Sequence, residues 1–185
     1  MDKLPDFSKD DFSPGDFSTD ALAVDESPLD FSQIYKAYGQ SLAARLVTTS
    51  AMSFVFVEDL DDPQEVIKAV AKAADGESLF CWDNFDEDLD SGGRDNFTLS
   101  VTGSFSVLKK AKELSARHVV QGQCRGAVLQ AFSLMLADAR TGFLLEQSIR
   151  LDLRQIPLQR IGPLSASWYG YQLQFRWTVP ADLPY

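Results

Sequence analysis

The chain has 185 residues, 45% of them hydrophobic and 11% aromatic, and a formal net charge of −10. That is enough apolar material for one packed core, and the acidity excludes a general binder of nucleic acid or anionic membrane, because neutralising phosphates requires a basic surface. The charge is sorted along the chain: residues 1–30 sum to −7, residues 31–93 to −8 and residues 94–185 to +5. One copy can therefore attract another head to tail.

No apolar run approaches the roughly 20 residues that span a bilayer. The opening Met1-Asp2-Lys3-Leu4-Pro5-Asp6 lacks the apolar stretch of a secretory signal. Cys81 and Cys124 match no metal spacing and are expected to be small buried hydrophobes in a reduced setting.

Residues 1–30 read as an extended acidic arm. Asp-Phe-Ser occurs at 6–8, 11–13 and 16–18, and again at 30–32, while Pro5, Pro14, Gly15 and Pro28 forbid a continuous helix. Two readings stand for it. It is a solvated tail, or a tether whose Phe7, Phe12 and Phe17 dock in a neighbouring subunit.

Residues 31–185 read as one domain. Ile34, Tyr35, Tyr38, Leu42 and Leu46 recur at helical spacing, with Asp30 or Ser32 as cap. Ser53 to Val57 is expected to be a buried strand. Asp62-Pro63-Gln64-Glu65 reads as a helix start with a capping carboxylate, Val66, Ile67 and Val70 as its apolar stripe, and Gly76 as its end. Leu79 to Trp82 is the next strand.

Phe85 to Asn96 is expected to be an acidic loop. Asp86, Asp88 and Asp90 alternate ahead of Ser91-Gly92-Gly93, like the first half of a calcium loop, but Ser91 and Phe97 stand where a glycine and a bidentate glutamate are needed. A solvated hairpin loop, or an acidic patch meeting a basic neighbour, fits better. Phe97, Leu99 and Val101 then alternate with Thr98, Ser100 and Thr102 as a one-sided strand.

Residues 104–140 read as helix with a break near Gly122, the face Val128, Phe132, Met135 and Leu136, and Gly142 as C-cap. Two alternating strands close the chain. The first places Phe143, Leu145, Gln147, Ile149, Leu151 and Leu153 on one face and Arg150 and Arg154 on the other. The second places Tyr169, Tyr171, Leu173, Phe175, Trp177 and Val179 against Gly170, Gln172, Gln174, Arg176 and Thr178. The stretch Ile156 to Ser167, with Pro157, Gly162 and Pro163, is expected to be a loop. The expected fold is a single α+β domain in the order α-β-α-β-β-α-β-β, a mixed or antiparallel sheet with helices on one face and a wet face opposite.

No catalytic, cofactor-binding or metal set emerges. His118 is the only histidine and reads as structural or exposed. No serine sits in a Gly-x-Ser-x-Gly elbow, and Ser91-Gly92-Gly93-Arg94 leads into a strand rather than a phosphate-binding helix. Trp82 and Trp177 suit the core. Trp168 and Tyr169 begin a strand after a loop and suit an interface or a pocket rim. The expected interface residues are thus Phe7, Phe12 and Phe17, the acidic Asp86, Asp88 and Asp90, the basic Arg150, Arg154 and Arg176, and Trp168 and Tyr169.

The element order, together with the closing run from Trp168 to Trp177 after a Pro-Gly loop, resembles the tail-terminator and tail-completion proteins of tailed bacteriophages. The resemblance covers about residues 31–180, and the Asp-Phe-Ser arm is not part of that family's pattern. It implies a non-enzymatic structural subunit without cofactor, a hexameric ring of self-associated copies, and contacts to tail-tube and neck proteins. It also implies a place in the virion after assembly in the host cytoplasm, no sequence-specific nucleic-acid contact, and an acidic channel through which DNA passes. The other class is a non-catalytic binding module, its sheet and last helix enclosing a small molecule or peptide.

Overall fold

The computed structural model describes residues 31–46, 52–58, 64–72, 78–90, 98–164 and 167–180. Phe7, Phe12 and Phe17 lie outside the described residues, as do the caps expected at Asp30, Asp62, Pro63 and Gly76.

The elements run α1 (Phe31–Ala44), β1 (Met52–Val57), α2 (Gln64–Lys72), β2 (Ser78–Asp83), β3 (Asp86–Asp90) and β4 (Thr98–Lys110). A single 3-10 turn (Leu114–Ala116) leads into α3 (Arg117–Thr141), followed by α4 (Phe143–Glu146), β5 (Arg150–Asp152), β6 (Leu158–Leu164) and β7 (Trp168–Pro180). The α+β class and the mixed sheet stand. The element order is richer than the alternation suggested.

The sheet runs β1-β2-β4-β7-β5, with β3 also on β4 and β6 also on β7. Among the described strands only β1 and β2 are parallel, joined through α2 as a parallel pair requires. The frame is the long antiparallel pair β4 and β7, in register from Thr98 against Pro180 to Lys110 against Trp168. β2 and β3 occupy successive lengths of β4, and β6 and β5 successive lengths of β7.

That frame explains the differences from expectation. The period-two pattern of β4 does not stop at Thr102: Val101, Phe105 and Val107 are buried on one face, so residues 104–110 are strand and not helix. Residues 86–90 are not loop, because β4 offers them a partner. β6 is a strand inside the expected loop 156–167, and as an edge strand with an irregularity between Ile161 and Leu164 it tolerates Pro163. Gly162 stands at φ +103, and a Cβ there would lie 2.5 Å from the Trp168 carbonyl oxygen. Only Arg150–Asp152 of the stretch 143–154 are strand, because in their antiparallel register Ser148 would already face Pro180, where β7 ends, and earlier residues have no β7 partner. The first residues of the stretch turn as α4 instead, burying Leu144 while Phe143 and Leu145 are exposed, the reverse of the expected faces.

The α3 helix runs unbroken through Gly122 and Gly126 to Gly142, whose N–H bonds the Asp138 carbonyl at 3.1 Å. β1 is half-buried rather than buried, being the sheet edge; only Val57 is enclosed.

The main core lies between the sheet and α1 with α3. Tyr35, Tyr38 and Leu42 of α1 and Val120, Cys124, Val128 and Met135 of α3 pack on Phe80, Trp82, Phe105, Phe175 and Trp177. Tyr35 is the hub, with Trp82 at 5.0 Å, Phe85 at 4.6 Å and Trp177 at 5.5 Å between ring centroids. Its hydroxyl reaches the end of β2 and donates to the Asp83 carbonyl at 2.9 Å. Glycine is required at 103, since a Cβ there would fall on that hydroxyl. The expectation of helices on one face holds for α1 and α3 only. Val70 of α2 packs on the other face with Val57, Leu79, Cys81, Leu108 and Trp168.

Candidate functional site

Beyond the patch covered by α2, the second face of the sheet is polar. Directly opposed residues of an antiparallel ladder share a face, so the register arranges this surface in rows. Asp88, Ser100, Thr178 and Arg150 form one row, and Asp86, Thr102, Arg176 and Asp152 the next. Acids thus stand on β3, hydroxyls on β4, and the guanidinium groups of Arg176 and Arg150 on β7 and β5, with Asp152 as an acid at the β5 end of the second row. The rows span three strand spacings, about 14 Å.

Asp86, Asp88, Arg150, Arg154 and Arg176 are exposed. The sequence-predicted acids and bases therefore share one face but at opposite sides of the sheet. Asp90 ends β3 by pairing with Thr98. The half-match to a calcium loop is strand: Asp86 and Asp88 are held at β-spacing by the ladder and do not curl around a centre.

Arg154 lies just past β5 and grips Asp152, with Nη2 to Oδ2 at 2.7 Å and Nε to Oδ1 at 3.0 Å. Those hydrogen bonds, with a further one from the Arg154 backbone N–H, hold the Asp152 carboxyl down at about 2. Arg150 and Arg176 form no ion pair within 4 Å among the described residues, so they carry the outward positive charge.

Asp83, at the end of β2, was not singled out by sequence reasoning, nor were Ser104 and Gln172. Its side chain is 9% exposed. Its Oδ2 accepts from Ser104 Oγ and from Gln172 Nε2 at 3.1 Å, and Gln172 Nε2 also donates to Ser104 Oγ at 2.9 Å. Burial raises the Asp83 pKa and the two donors offset part of that. The available signal was the alternation Ser100, Thr102, Ser104, Ser106, which continues past the point where helix was expected.

Trp168 and Tyr169 are not at the surface. Trp168 is 3% exposed in the α2-side core and Tyr169 is 8% exposed in the main core, its carbonyl accepting from Cys124 Sγ at 3.6 Å. The folding back of β6 onto β7, with Ile161 opposite Gly170 and Leu164 opposite Trp168, encloses them. His118 is exposed in the first turn of α3, where its Nε2 accepts from Arg117 Nε at 3.4 Å.

No helix among the described residues is long and apolar enough to cross a membrane. No protein-family model matches the chain, and no curated protein matches it.

Proposed function

We propose that the protein is a non-enzymatic structural subunit that assembles head to tail into a homo-oligomeric ring, of the kind formed by phage tail-terminator and neck proteins where the tail tube meets the neck. The observation that supports this reading is the separation of charge across one sheet face, Asp86 and Asp88 on β3 against Arg150 and Arg176 on β5 and β7. Two unlike, mutually attractive patches on one molecule make a heterologous contact, and such contacts close into rings when their rotation permits.

The test is native mass spectrometry of the full chain across a salt series, with the doubly substituted Arg150→Glu, Arg176→Glu protein beside it. The reading expects closed oligomers at low salt that dissociate as the Debye length falls toward about 8 Å at physiological ionic strength, and monomers for the substituted chain. A chain that is monomeric in every condition, or oligomers indifferent to both changes, would overturn it.

A further inference from the structure

The polar face also carries a groove. Two cavities of about 340 and 230 Å³ adjoin at Gln174 and Pro157, floored by β4 and β7 and walled by the chain between β5 and β6. Amides, hydroxyls and charges dominate the lining, and the volumes suit a small ligand.

The two ends of this groove have opposite character. At one end Ser104 and Gln172 line the smaller cavity with Asp83 behind them. An ionised carboxylate only accepts, so it fixes the Gln172 amide with its NH₂ group inward. Gln172 Nε2 donates to Asp83 and to Ser104, and the Ser104 proton goes to Asp83. What remains on these two side chains is acceptor capacity, the Gln172 Oε1 and a Ser104 lone pair. No Lys or Arg among the described residues forms an ion pair with Asp83, so a buried negative charge stands behind these two acceptors, with the Gln159 and Gln174 amides completing the lining. That is the environment of an ammonium group. At the other end Arg176, which forms no ion pair among the described residues, lines the larger cavity beside the Arg154–Asp152 pair and supplies its guanidinium to an anion.

We propose that this groove binds a short extended peptide with free ends, three or four residues long. Its amino group lies against Ser104 and Gln172, and its carboxylate lies against Arg176. Gln172 and Arg176 are four residues apart on β7, about 13 Å at strand rise, which an extended tri- or tetrapeptide spans at roughly 3.3–3.6 Å per residue. Gln174, between them and common to both cavities, offers its amide to the peptide backbone. The inference does not rest on the ring reading, since a monomer carries the groove complete.

The test is calorimetric titration of the full chain with tetra-alanine, with side-chain amide NMR signals of Gln172 and Gln174 as a positional readout. Free tetra-alanine is expected to bind and to shift both signals. N-acetylation or C-amidation is each expected to weaken binding about tenfold or more, the usual effect of losing a charge-assisted contact. Arg176→Gln is expected to weaken the free peptide and leave the C-amidated one unchanged. Failure of free tetra-alanine to bind at millimolar concentration, or equal binding of the blocked peptides, overturns the proposal. Oligomeric state read in the same samples keeps the two readings apart, since lost assembly with retained binding counts only against the ring.

Discussion

Tyr38 donates its hydroxyl to Asp138 Oδ2 at 2.8 Å, joining α1 to α3 across 100 residues of chain. Arg45 completes the junction, with Nη1 to Oδ1 at 3.1 Å and Nη2 to Oδ2 at 2.6 Å. Asp138 is 8% exposed, so each partner it loses leaves a buried charge less compensated. Tyr38→Phe is expected to cost about 1.5–3 kcal/mol, the range for a hydrogen bond to a charged group. Asp138→Ala is expected to cost about 2–3 kcal/mol, below the figure for a fully buried pair because Arg45 regains water. Urea midpoints at constant slope measure both.

The glycines separate into two classes. A Cβ at Gly122 or Gly126 meets nothing within 4 Å, and both lie inside α3. Gly122→Ala and Gly126→Ala should each stabilise by about 0.5–1 kcal/mol through lower unfolded-chain entropy. Gly103→Ala should instead destabilise by about 1–3 kcal/mol, as overpacking does, because the methyl displaces the Tyr35 hydroxyl. Thermal midpoints that moved the same way for all three would contradict this division.

Cys81 and Cys124 are free, buried thiols whose pKa burial pushes up to about 12. The thiolate is the reactive form, so at pH 8 the folded chain should leave both unmodified by a disulfide reagent and release two equivalents in urea. Rapid labelling of the folded protein would show that one of these faces opens.

The sequence shows some of this architecture and hides the rest for physical reasons. β7 is legible because its alternation persists from Tyr169 to Val179 and both faces differ in kind. β4 is legible only to Thr102; beyond it Ser104-Phe105-Ser106-Val107-Leu108 fits either period over so short a window, and what decides is a 13-residue partner far along the chain. The stretch after Gly142 alternates well and still turns as α4, since in the register of β5 it would face positions beyond Pro180, where β7 ends. The exposed charges of the polar face were readable from their alternation. Asp83 was not, because it looks like one more acid before an acidic run. Only register brings it to Ser104 and Gln172, 21 and 89 residues away.

That placement gives Asp83 a distinct pH signature. Its folded pKa is raised above the ordinary value near 3.8. The unfolded chain therefore loses this proton first, and stability contributed by protonated Asp83 is present below 3.8 and lost as pH rises through the folded value. Asp152 acts oppositely. Its pKa is lowered to about 2 by Arg154, so its contribution is present above 3.8 and lost as pH falls toward 2. Asp83→Asn should gain stability relative to the parent chain as pH rises above 4, with the two profiles converging below it. Parallel urea curves from pH 3 to pH 7 test this, and a constant offset would mean Asp83 does not titrate in that window.

The charge rows make a last prediction that distinguishes attraction between unlike edges from general stickiness. Arg150→Glu with Arg176→Glu leaves a chain acidic at both sides of the sheet face, and Asp86→Lys with Asp88→Lys leaves one basic at both. Each alone should be monomeric, because every self-contact now sets like charges together. All four substituted positions are exposed, so the fold should survive, with intact urea midpoints as the control. Mixed in equal amounts, the two variants should associate again, and only in alternating order. Complexes built from them should then hold the two chains in equal numbers when closed and in numbers differing by at most one when open, which native mass spectrometry resolves by mass. Assemblies in the mixture whose two chain counts differ by more than one, or oligomers of either variant by itself, would place the self-association elsewhere on the surface.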